Sequence, residues 1–202
     1  MVSKILRDCS GASLVEATLV FPIVMMVTFG TVDVLYMLHE WNLANKATYR
    51  GARVAVVSTP PAAAVSTPVY STGHEGETCF NQATGAPDGA VACPTFDVTC
   101  TSATCNNAAF TAIVTAMQQV FPRIQPANVQ IRYQTTGLGF SGRPGGLPMN
   151  VTVSIQCMSH QMFFLGQWAG WVVSPASACQ TFNSMPMPTF ASTLPSEDIA
   201  TN

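Results

Sequence analysis

The chain has 202 residues, of which only 9% are charged, and its formal net charge is −2. Ordinary soluble proteins carry about 25% charged residues, so this composition argues against a free cytosolic enzyme, and nothing in it suggests nucleic acid as a partner, which would need a clustered basic face. The length suits one domain plus an N-terminal anchor better than two domains.

Met1 to Gly11 forms a short basic leader holding Lys4 and Arg7. Gly11-Ala12-Ser13-Leu14-Val15-Glu16 follows and opens a long apolar run. From Leu14 to Val32 the only polar side chains are Glu16, Thr18, Thr28 and Thr31, which is the length and character of a bilayer span. An ordinary secretory signal has its small-residue cut site after the apolar core. Here the candidate junction, Gly11, precedes the core, so cleavage would leave the helix on the mature protein. An uncleaved signal anchor is the competing reading. Lys4 and Arg7 predict a cytoplasmic N-terminus and place the bulk of the chain on the far side of the membrane. Pro22 is expected to kink the helix, and Asp33 to mark its outer interface.

Helical pattern continues past the span, through Leu35, Leu38, Leu43 and Val54, and stops at Ser58-Thr59-Pro60-Pro61. A helix from Ala12 to about Val57 would be roughly 70 Å long at 1.5 Å per residue. Lys46, Arg50 and Arg53 make a basic stripe on it, beside a small-residue stripe of Ala44, Ala47, Gly51 and Ala55. The small residues permit close approach of another backbone, either from a second subunit or from the chain's own domain. Residues 59–106 are rich in Pro, Ala, Ser, Thr and Gly and read as a disulfide-pinned loop insertion. Cys79, Cys93, Cys100, Cys105, Cys157 and Cys179 make an even set outside the leader, the signature of disulfides in an exported domain, with pairings that spacing does not resolve.

Residues 107–202 read as an α+β domain. Phe110, Ile113, Val114, Met117 and Phe121 recur at helical spacing between Asn107 and Val120, and Pro122 closes the helix. Val129 to Tyr133 and Asn150 to Gln156 alternate as strands, the second with Val151, Val153 and Ile155 inward. Gly166 to Val173 and Met187 to Leu194 are expected to add a third strand and a short terminal one. The expected fold class is α+β: a long N-terminal transmembrane helix whose protruding half packs on a small antiparallel sheet with a second helix.

Catalytic options are poor. His74-Glu75-Gly76-Glu77 lacks the second histidine of a helical zinc site and lies in the loop region, so it reads as solvated. The cysteines show no Cys-x-x-Cys spacing, and Gly137 to Gly146 lacks the lysine of a phosphate loop. His39 and His160 are isolated in sequence, and Asn150-Val151-Thr152 is a glycosylation sequon without a pathway to use it. Phe163, Phe164, Trp168 and Trp171 cluster late in the chain and read as core first, with an adhesive or subunit-contact surface as the other option. No cofactor, no metal and no enzymatic activity is expected.

Gly11, Glu16, Pro22, Phe29-Gly30 and Arg50-Gly51-Ala52-Arg53 together make the first quarter of the chain resemble the TadE-like group of tight-adherence (Flp) pilus proteins, within the type IV pilin-like superfamily. The resemblance implies a prepilin leader over residues 1–11, cut between Gly11 and Ala12 by a dedicated prepilin peptidase. It also implies that Glu16 neutralises the new N-terminal ammonium, in its own or a neighbouring subunit, and so serves assembly together with Pro22. Opposite charges attract strongly at low dielectric, and each alone is penalised. Cleavage removes Lys4, Arg7 and Asp8, leaving six basic and nine acidic side chains. The implied role is that of a minor pilin or pseudopilin in the bacterial inner membrane. Its C-terminal domain would be periplasmic or displayed on an extracellular pilus, and its partners would be membrane lipid, other pilin subunits and the Tad secretion machinery. The alternative is a single-pass secretion-machinery subunit or periplasmic enzyme that never enters a filament. Residues 59–106 form a larger insertion than the plain family pattern leads one to expect.

Overall fold

The computed structural model describes residues 12–66, 74–81, 86–87, 93, 95–105, 107–142, 147–166 and 184–196. They fall into two compact units, Met1–Glu40 with Ser159–Pro186, and Trp41–Met158 with Met187–Asn202. Helix α1 (Ala12–Val57, 46 residues) contributes to both and runs through Pro22.

In the first unit, α1 is apolar on nearly every face. The hydroxyls of Thr18, Thr28 and Thr31 donate back to the carbonyls of Val15, Met25 and Thr28 at 2.8, 3.0 and 2.7 Å. A hydroxyl satisfied within its own helix is compatible with an apolar surrounding, which is why these threonines do not interrupt the run. The rest of the described unit is a short antiparallel pair, β6 (Ser159–Gln161) with β7 (Ser184–Pro186), and the turn through Leu165 that follows β6.

The second unit is a four-stranded antiparallel sheet in the order β3-β4-β5-β8, with β3 Asp97–Thr101, β4 Val129–Thr135, β5 Met149–Ile155 and β8 Phe190–Ser196. Alternation puts Val129, Ile131, Tyr133, Val151, Val153 and Ile155 on its buried face. Two helical surfaces cover them. One is the 44–55 stretch of α1, whose Ala44, Ala47, Ala52 and Ala55 are wholly buried in this core. The other is α3 (Ala108–Gln118), which brings Phe110, Ile113, Val114 and Met117. Asn107 caps α3: its side-chain oxygen accepts from the Phe110 amide at 2.9 Å, and its amide nitrogen donates to the Pro61 carbonyl at 2.6 Å. Opposed Thr152 and Thr193 share a hydroxyl bond of 2.8 Å across β5 and β8.

Residues 59–106 are less irregular than composition suggested. They hold a one-turn helix α2 (Ala63–Ser66), the two-residue pair β1 (Phe80–Asn81) and β2 (Ala86–Pro87), and the edge strand β3. The loop expectation is therefore corrected at Asp97–Thr101, where only Val98 and Cys100 supply an apolar side and Asp97, Thr99 and Thr101 supply the rest. Cys79–Cys93 and Cys100–Cys105 are disulfides, the second closing the turn that leaves β3. Cys157 is disulfide-bonded as well, and its partner, like Cys179, falls outside the described residues. The terminal strand is a full edge strand, Phe190–Ser196, while most of the strand expected at Gly166 to Val173 lies outside the described residues.

Candidate functional site

The side of α1 that carries function begins with exposure. Leu14, Val15, Leu19, Phe21, Ile23 and Val27 are all at least 60% exposed, an arrangement that water disfavours and lipid or another apolar helix favours. Among the described residues α1 is the helix long and apolar enough to cross a membrane, which makes the chain a single-pass anchored protein by length and composition. Glu16 sits exposed in this apolar stretch, and Pro22 is exposed on it too. Ala12 is the first residue of α1, while Gly11 lies outside the described residues.

A polar stripe interrupts the apolar surface. Gly30, Asp33 and Glu40 are buried and Met37 is half-buried, and their spacing of three and four places them on one face. Asp33 accepts three backbone hydrogen bonds, from the amides of Phe163 at 3.3 Å, Phe164 at 2.8 Å and Leu165 at 2.8 Å. Its carboxylate thus satisfies the whole turn after β6. Leu165 packs over Gly30, where a β-carbon would make ordinary van der Waals contact with its side chain at 3.4 Å. The Phe164 ring stacks on Phe29 with centroids 4.3 Å apart, and Tyr36 lies against His160 and Phe163.

Seven residues beyond Asp33, Glu40 meets His160 at 2.6 Å from Oε2 to Nδ1, with both side chains almost wholly buried. A carboxylate only accepts, so with Glu40 ionised Nδ1 carries the proton and donates it. The other ring nitrogen, Nε2, is buried without a hydrogen-bond partner among the described residues. Enclosed on all sides, the pair cannot meet a substrate; it fixes β6 to α1.

The sequence reading is corrected at three points. His160 is not isolated: its partner is 120 residues away. Asp33 does more than mark an interface, since it holds a turn. Phe163 and Phe164 are not core, being 66% and 44% exposed; Trp168 and Trp171 lie outside the described residues. Glu40 went unnoticed in the sequence. The signal was there in the spacing of Asp33 and Glu40 on an otherwise apolar helix, which demands partners.

Elsewhere the structure assigns modest roles. His74 bonds Glu77 at 2.9 Å in an exposed turn, and the described residues hold no group of three or more His, Cys, Asp or Glu placed to bind a metal. Lys46, Arg50 and Arg53 are exposed, with Arg50 donating to Gln119 at 3.3 Å. The small-residue stripe of Ala44, Ala47, Gly51 and Ala55 is consumed by the chain's own core, so it is not an open face for another subunit.

Residues 11–53 match the protein family described as TadE-like protein, a stretch that ends on Arg53, the last basic residue of α1. That match connects the chain with the Tad pilus. No curated protein and no solved structure matches it.

Proposed function

We propose that this chain is a minor pilin or pseudopilin of a Tad (Flp) pilus, structural rather than catalytic, which acts in pilus assembly and surface attachment. The observation that carries the reading is that the family match, residues 11–53, covers the apolar and exposed part of α1 together with Glu16 near its start. Cleavage after Gly11 would deliver a helix with a free ammonium at Ala12 and a carboxylate at Glu16, one helical turn away. In an apolar surrounding that pair is worth forming, either within one subunit or between the ammonium of one and the Glu16 of the next. The globular part then lies in the periplasm, held by α1 in the inner membrane until the subunit enters a filament. Its partners in this reading are a prepilin peptidase, other pilin subunits and the Tad secretion machinery.

The test is the N-terminal sequence of the protein recovered from membranes and from sheared surface material. A start at Ala12 in both fractions is the expected result. An intact Met1 in the membrane fraction, with nothing in the sheared one, would overturn the reading in favour of a plain signal anchor.

A further inference from the structure

The Phe163-Phe164-Leu165 turn has no reason, in water, to present its rings outward. Phe163 is 66% and Phe164 44% exposed. Pro22, Met25, Met26 and Phe29 join Phe164 and Leu165 in lining one open apolar groove of about 270 Å³. Depth decides what this surface meets. The uncharged stretch between Glu16 and Asp33 takes up ~26 Å at 1.5 Å rise per residue, against a hydrocarbon core ~30 Å thick. With Glu16 near the inner boundary, Asp33 stands at the outer one. Phe29 is four residues, about 6 Å, inside that boundary, and Phe164 is stacked on it.

Backbone at this depth survives only when its amides are satisfied, because lipid offers no hydrogen bonds. Asp33 supplies what is needed: one carboxylate accepts the amides of Phe163, Phe164 and Leu165. The converse holds too, since a carboxylate at the edge of the hydrocarbon is costly unless donors surround it. The Glu40–His160 pair then fixes the strand that leads into the turn. We propose that the Phe163–Leu165 turn is a second membrane anchor, a hook that enters the outer leaflet beside α1 and packs against lipid acyl chains, with Asp33 as the residue that makes its insertion possible. The inference rests on α1 spanning the bilayer.

The test places a fluorine probe singly on the ring of Phe164 or, as reference, of Phe21, in full-length protein reconstituted into phosphatidylethanolamine/phosphatidylglycerol nanodiscs. Fluorine resonances are recorded with doxyl-labelled lipid and with a water-soluble gadolinium chelate. The expected result is that doxyl near the headgroup broadens Phe164 severalfold more than the chelate does, while Phe21 responds most to doxyl deep in the chain. Asp33→Asn should make Phe164 sensitive to the chelate and leave Phe21 unchanged. If Phe164 in the unaltered chain responds to the chelate while Phe21 responds to lipid, the hook is wrong and the span stands. Insensitivity of Phe164 to both agents means that protein, a second copy included, covers it, and this also overturns the hook. A Phe21 broadened by the chelate overturns the span and the hook together.

Discussion

Gly51 tests whether the membrane-distal part of α1 is truly committed to the chain's own sheet. A β-carbon built there would lie 2.7 Å from both Cγ and Sδ of Met117 and 3.2 Å from a Val153 methyl. Gly51→Ala should gain about 1 kcal/mol of helix propensity. Against this stands overpacking, typically about 1–3 kcal/mol, because Met117 is wholly buried and Val153 is fixed in the middle of the sheet. The contact should win, leaving the variant destabilised by up to about 2 kcal/mol. Met117→Ala alone should cost roughly 2–5 kcal/mol, the range for a buried Met truncation. In the double variant the new methyl occupies space that Met117 vacated, so the two changes should couple favourably by about 1–2 kcal/mol. Denaturant unfolding of the detergent-solubilised full chain, followed by near-UV circular dichroism, measures all three. A Gly51→Ala variant that is more stable by about 1 kcal/mol and shows no coupling to Met117 would refute the packing argument. The stripe would then be free to meet another subunit.

Tyr133 is wholly buried and its hydroxyl has no hydrogen-bond partner among the described residues, so Tyr133→Phe should be neutral or stabilising by up to about 1 kcal/mol in the same assay. Burial also raises its phenol pKa, so the wild type should lose stability as pH climbs above about 10, where the unfolded chain ionises first, and the Phe variant should lack that component. The Arg132 guanidinium bonds Asp97 and holds its carboxyl below the ordinary carboxylate range. That contribution is present at neutral pH and fades as pH falls through the lowered value, so the small Tm deficit of Asp97→Asn at pH 7 should close in acid. His160→Leu removes one member of a buried pair, a loss of about 3–5 kcal/mol, and should raise amide hydrogen exchange at Phe163 to Leu165 by ~100-fold or more, with Glu40→Met restoring much of the protection. Glu16→Ala should leave the protein in the membrane fraction and remove it from sheared material, measured by immunoblot of the two.

The elements legible in the sequence are those whose physics is local. The C-terminal end of helix α1 could be set because an unbroken apolar run leads into a proline-free stretch carrying Leu35, Leu38, Leu43 and Val54 and then into Ser58-Thr59-Pro60-Pro61, and the helix ends at Val57. Strands β4 and β5 were legible because Val129, Ile131, Val151, Val153 and Ile155 alternate over a full strand length. Strand β3 was not, since Asp97-Val98-Thr99-Cys100-Thr101 has two apolar residues inside a composition that reads as loop; it is a strand because β4 offers it a free edge. Strand β6 is three residues long, too short for any period to show. The site was hidden for a different reason. Asp33 with the 163–165 amides and Glu40 with His160 are contacts across 120 residues or more, so the spacing of the two carboxylates signals a need for partners without saying where they lie. The aromatic pair was misread as core because large apolar residues are usually buried, and these two are exposed.

Those corrections narrow how the molecule can assemble. Ala44, Ala47, Gly51, Ala52 and Ala55 already hold a sheet and a second helix, so self-association through that stretch would require the domain to unpack. The segment from Leu14 to Val32 has no such commitment: apart from Gly30 its described side chains are exposed. In the proposed filament, helix-to-helix packing between subunits would therefore use the same residues that lipid covers in the membrane. A switch from lipid to neighbouring helices gains little from apolar burial alone, since acyl chains are as apolar as leucine. The residue in that stretch able to distinguish the two surroundings strongly is Glu16, which lipid penalises and a neighbour's ammonium rewards. In the proposed function, selectivity for a filament over the bilayer would fall on the charge of Glu16, and a cut after Gly11 that creates its partner would control when the exchange becomes favourable.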